Sequence, residues 1–167
     1  MGWYAVMLII LAVVIYSEEN KKYKASKKVG DKGESIVAKR LAELDDSYVV
    51  EHDVHFGQVQ IDHLVINHEL KIVFVIETKL WGRILDCNKE NDYWQLESGK
   101  YVRNPFKQNN YHCKVVRRYY GGYSVHSIIV FVRDNGISGR SVVRVSGLVE
   151  YIYRTSRNVS NSGKIGL

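Results

Sequence analysis

A chain of 167 residues has room for one domain and an appendage. Its 46% apolar content and single proline set intrinsic disorder aside. Lysine and arginine outnumber the acids 24 to 18, and the net charge of +6 suits a polyanionic partner, nucleic acid or anionic lipid, as well as plain solubility. Cys87 and Cys113 fall in no CxxC or Cys–His spacing, which sets zinc aside and suits free thiols in a reducing cytosol.

Residues 2–16, GWYAVMLIILAVVIY, carry no charge. As a helix they cover roughly 22 Å, somewhat less than the ~30 Å hydrocarbon core, with Trp3, Tyr4 and Tyr16 suited to the headgroup level. A cleaved signal peptide needs a basic start and a small-residue cleavage site, and neither is present. A buried core helix fits poorly, because the run is apolar on every face. The reading is therefore a transmembrane anchor. Lys21, Lys22, Lys24, Lys27 and Lys28 follow it, so the positive-inside rule places the rest of the chain in the cytoplasm. Residues 17–28 read as a polar, basic juxtamembrane linker.

In the soluble part, Val37, Leu41 and Leu44 form a helical stripe within 31–44. Strands are expected at 48–54, 59–66 and 71–79, the last two joined by the hairpin-length segment 67–70. Residues 81–85 extend the sheet, and 88–99 read as a polar loop. Asn104-Pro105 marks a helix start, and Gly121-Gly122 a stop near residue 120. A strand at 125–133, a turn at 134–139, a short strand at 141–145 and a last helix at 147–154, capped by Ser146, follow. The polar tail 155–167 is expected to fray.

Chemistry concentrates on the second and third strands. Asp62 lies inside the apolar run 61–66, while Glu77 and Lys79 close the run 72–79. Alternation puts Val73, Val75, Glu77 and Lys79 on one face, and a hairpin closed near Glu69 brings Asp62 opposite or diagonal to Glu77. Two carboxylates ~4 Å apart repel by about 4 kcal/mol at an effective dielectric of ~20. A shared proton, Lys79 or a divalent cation must offset that, and Mg²⁺ takes such hard oxygen ligands, with a carbonyl of the Val75-Ile76 stretch nearby. A plain cross-strand Glu–Lys pair is the bland alternative. Glu34 falls on the inward stripe, though Asp31-x-x-Glu34 also has the form of a capping box. On the later helix Gln108, His112, Val115 and Tyr119 share one face, while Lys107, Lys114, Arg117 and Arg118 either follow a phosphate backbone or form a solvated surface. His63 points away from Asp62 and reads as structural. Trp81 packs near the site. Tyr93 and Trp94 can stack on bases, with burial beneath the loop the stronger expectation.

Gly33-Glu34, Gln60-Ile61-Asp62-His63, the run 74–79 followed by Trp81-Gly82, Asn104-Pro105, and the pair Gln108 and His112 together resemble the nuclease-related domain family, a branch of the PD-(D/E)xK nuclease superfamily. The resemblance covers about residues 29–132. It implies an α/β, restriction-endonuclease-like mixed central sheet flanked by helices, here preceded by one transmembrane helix. The domain would span 29–154. Asp62, Glu77 and Lys79 would be the catalytic set with Glu34 as the first-helix acid. Mg²⁺ or Mn²⁺ would be held by Asp62, Glu77 and Glu34. Gln108, His112, Lys107 and Lys114 would contact nucleic acid. The expectation is a membrane-anchored, metal-dependent nuclease, acting on DNA at the cytoplasmic face. The alternative is an inactive module of the same fold that binds nucleic acid or a membrane partner.

Overall fold

The computed structural model describes residues 2–133, 136–137 and 141–163. Its first element is one unbroken helix, α1 (Gly2–Leu41). The segment read as a linker, 17–28, is helical throughout, because Lys, Glu, Ala and Ser without Pro offer no break between the apolar run and the domain. Continuity also removes the capping-box reading, since residue 31 is mid-helix and has no free N–H groups to cap. Residues Met7 to Leu11 are each more than half exposed, and the helix is long and apolar enough to cross a membrane.

Strands β1 (Val49–Phe56), β2 (Val59–Asn67) and β3 (Ile72–Lys79) form an antiparallel meander. The first turn takes Gly57 at φ +63°, a conformation glycine adopts without a Cβ clash. β7 (Ser124–Phe131) and β8 (Val142–Arg144) add in parallel, giving the mixed order β1-β2-β3-β7-β8. Residues 72–78 are all buried, as expected of a strand covered on both faces.

One face packs Phe74, Ile76 and Ile128 against Val37 and Leu41 of α1 and against Leu148 and Ile152 of α3 (Leu148–Gly163). The other packs Leu64, Val73 and Val75 against Cys113 and Val116 of α2 (Pro105–Tyr119). The Asn104 side chain caps α2 by accepting from the Phe106 and Lys107 amides, as its N-cap reading requires.

Further expectations are corrected. Residues 81–103 form a separate sheet of β4 (Ile84–Asp86), β5 (Tyr93–Leu96) and β6 (Tyr101–Arg103), so 81–85 do not extend the main sheet and 88–99 contain a strand. Trp94 is buried there with Leu96, Val102 and Phe131, whereas Tyr93 is exposed. Helix α3 continues through Thr155 to Gly163, because Tyr151, Ile152 and Val159 keep an apolar stripe against the core. The stripe of α2 ends before Tyr119, which is exposed and rests on Phe56 with ring centroids 4.5 Å apart. The expected turn at 134–139 falls largely outside the described residues, as do residues 164–167 of the tail.

Gly33 lets α1 approach the end of β3. A Cβ at that position would lie 3.0 Å from the Leu80 Cβ and 3.4 Å from the Thr78 Cγ2. Gly33→Val should therefore lower the melting temperature by several degrees, corresponding to the ~1–3 kcal/mol typical of overpacking. Thermal unfolding of the full chain in detergent followed by circular dichroism measures this. An unchanged or raised melting temperature would mean that α1 does not seat on β3 through this residue.

Candidate active site

The antiparallel register of β2 and β3, His63 against Ile76, carries Asp62 across from Glu77 one step further on. Both side chains line one cleft of about 410 Å³ together with Glu34, Lys79 and Gln108. The hairpin brings in the acids, α1 brings Glu34, and α2 brings Gln108.

Glu77 is fully buried. Its Oε1 accepts from the Lys79 Nζ, and its Oε2 lies 3.2 Å from the His112 Nδ1 without hydrogen-bond geometry, so both latter atoms are buried without a hydrogen-bond partner. Burial alone would raise the Glu77 carboxyl, but Lys79 and His112 together hold it below its ordinary value. Asp62 has the opposite balance. Burial and then the Glu77 charge push its carboxyl up to about 7, against the weaker pull of Lys79 and of the Thr78 amide, which donates to Oδ2 at 2.7 Å. Glu34, half-buried, is raised by burial and by Asp31, Asp53 and Glu77.

The donor set fits a hard divalent cation. It holds an orphaned carboxylate oxygen on Glu77 and a neighbouring carboxyl whose ionised form lacks a cation of its own. Among the described residues, no three His, Cys, Asp or Glu side chains converge as a metal-ligand cluster. Mg²⁺ commonly takes one or two carboxylates and keeps several waters. The Val75 carbonyl accepts from the Asn109 Nδ2 at 2.9 Å.

The other expected residues divide. His112 is buried behind Glu77, and Lys107 lies in a neighbouring groove with its Nζ 2.6 Å from the Asp92 Oδ1. Lys114 is exposed and lines neither recess. His63 is buried and its Nδ1 meets the His52 Nδ1 at 2.8 Å, a structural pairing. Trp81 sits beneath the Lys79 Nζ, which is 5.4 Å from its ring centroid.

Two contributors escaped the sequence reading. Asn109 is fully buried, and its Nδ2 reaches the Val75 carbonyl at 2.9 Å and the Ile128 carbonyl at 3.0 Å, clipping α2 to β3 and β7. A polar Asn between apolar turns of a helix was the available signal. Asp53 takes φ +52° and drops out of the β1–β2 ladder opposite Asp62, and its Oδ1 accepts from Gln60 at 2.6 Å. Asp tolerates this conformation better than most residues.

The family model described as nuclease-related domain matches residues 29–132. No curated protein and no solved structure matches the chain.

The Asp62 shift gives a signed pH prediction. The native carboxyl binds its proton up to about 7, against its ordinary value of 3.8. Below the lower value both states are protonated and Asp62 costs nothing. As pH rises through this window the native state loses stability, and the full cost is present above the upper value. Asp62→Asn should thus melt at the same temperature as the parent near pH 4 in metal-free buffer. It should melt higher by on the order of 5 °C near pH 8. Mg²⁺ should close the gap by stabilising the parent. Melting curves that stay parallel across this range would remove the strained-carboxyl account.

Proposed function

The chain belongs to the nuclease-related domain family, and from that premise we propose that it is a membrane-anchored, metal-dependent nuclease that hydrolyses phosphodiester bonds of DNA at the cytoplasmic face. The observation that carries the reading is the meeting of Asp62, Glu77 and Lys79 in one cleft, with a buried Glu77 oxygen left without a hydrogen-bond partner. Charge repulsion between two carboxylates in a site half closed to water has few remedies, and a divalent cation is the one that also does phosphoryl chemistry.

Asp62 and Glu77 would hold Mg²⁺ or Mn²⁺, with Glu34 acting across the cleft through water. When bound, the ion supplies neutralisation of phosphate charge and a lowered pKa for coordinated water. Lys79 lines the same cleft with its Nζ on the Glu77 carboxylate. It orients the attacking water and stabilises negative charge gathering on the phosphoryl oxygens. Gln108, at the cleft wall, donates to a phosphate or base, and His112 fixes Glu77 from behind. Lys114 adds charge on the outer face of α2 for the phosphate backbone.

The anchor reading rests on the exposed apolar run of α1, and the cytoplasmic orientation on the five lysines between residues 21 and 28.

Full-length protein in detergent micelles should cut plasmid DNA with Mg²⁺ or Mn²⁺ and stop when the metal is chelated. Glu77→Gln and Lys79→Met should each lower the rate by ~100-fold or more while the circular dichroism spectrum is retained. Folded protein that leaves DNA intact at equimolar concentration, or variants that both cut at the parental rate, would overturn the assignment.

A further inference from the structure

Beside the cleft runs a second recess of about 510 Å³. It is lined by Gln58 in the β1–β2 turn, by Gln60 of β2, by α2 and by the β5–β6 hairpin. Gln108 lines both recesses, and His112, which lines this one, touches Glu77. The groove therefore leads into the site.

Its walls carry two exposed aromatic rings. Tyr93 on β5 is 55% exposed and Tyr111 on α2 is 57% exposed. The charge in the groove is weak, because Lys107 is held by the Asp92 carboxylate and by the Glu90 carbonyl, which leaves Arg103 as the cation without an ion pair among the described residues of this groove. A surface that grips duplex nucleic acid does so chiefly with many cations on phosphates, since paired and stacked bases present no free face. Exposed rings with little free charge favour unpaired bases, whose faces stack on aromatic side chains.

We infer that this groove holds an unpaired stretch of the nucleic-acid strand, with bases stacked on Tyr93 and Tyr111 and a phosphate on Arg103, so that the substrate class is single-stranded or bears a single-stranded segment. The inference rests on the nuclease reading of the adjoining cleft. It supplies what that reading lacks, namely how the strand approaches. The tyrosines are positioning residues, since they lie outside the acidic cleft.

The test is equilibrium binding with metal chelated, which separates it from cleavage. Full-length protein in detergent is titrated into fluorescent oligothymidylate, oligouridylate and a blunt DNA duplex, read by anisotropy. Tyr93→Ala and Tyr111→Ala should each weaken single-strand binding about tenfold and leave duplex binding unchanged, while Tyr93→Phe and Tyr111→Phe keep the parental affinity. The tighter of the two oligonucleotides identifies the sugar. Alanine variants that bind the single strands as the parent does, or that lose single strand and duplex alike, overturn the inference. If the groove passes this test and neither plasmid nor either oligonucleotide is cut with Mg²⁺ or Mn²⁺, the nuclease reading fails and the groove stands; cutting without single-strand preference gives the reverse.

Discussion

A fully buried glutamate with one ammonium beside it is the interaction on which this architecture turns. Taking the Glu77 carboxylate out of water costs several kcal/mol, and a pair with Lys79 offsets that only if the geometry is held. The surrounding elements hold it. Lys79 lies two residues along the same strand, so alternation puts both groups on one face without a loop between them. Trp81 shields the ammonium, Asn109 fixes the helix that brings His112, and Gly33 lets α1 close the far side. What remains uncompensated is Asp62, which faces the same cleft and answers the Glu77 charge by gaining proton affinity. The divalent cation of the proposed function would satisfy both carboxylates at once.

Helix α1 ties this site to the apolar run 2–16 without a hinge. The apolar run ends near Tyr16, and Glu34 lies about 27 Å further along the same axis at ~1.5 Å per residue. Ser26, Val29 and Gly30 of this stretch already line the cleft. With the apolar run seated in a bilayer, the cleft stands at a set height and rotation above the headgroups. A flexible linker would have left both free.

The parts of the site legible beforehand were those governed by strand periodicity. The hairpin at Asn67–Leu70 and the alternation of Val73, Val75 and Glu77 placed the two acids together because a pleat permits little else. Asn104-Pro105 announced its helix through capping chemistry that is local to a few residues. Long-range packing was not legible. Whether residues 17–28 are linker or helix depends on their neighbours at both ends, since their composition permits a helix without requiring one. The β5 strand hid in a polar stretch because only Trp94 and Leu96 face inward, and the hydrogen bonds of Asn109 exist only once β3 and β7 lie side by side. The α2 stripe was read one turn too far, since Tyr119 has the right spacing but stays exposed, resting on Phe56 at the end of β1.

The most direct measurement is anomalous diffraction from crystals of the full-length protein soaked in Mn²⁺. The account predicts a single strong peak between the carboxylates of Asp62 and Glu77, with the Lys79 Nζ moved off the Glu77 oxygen it now holds. Absence of a peak there at saturating Mn²⁺, with the Glu77–Lys79 pair intact and Asp62 unchanged, would contradict it.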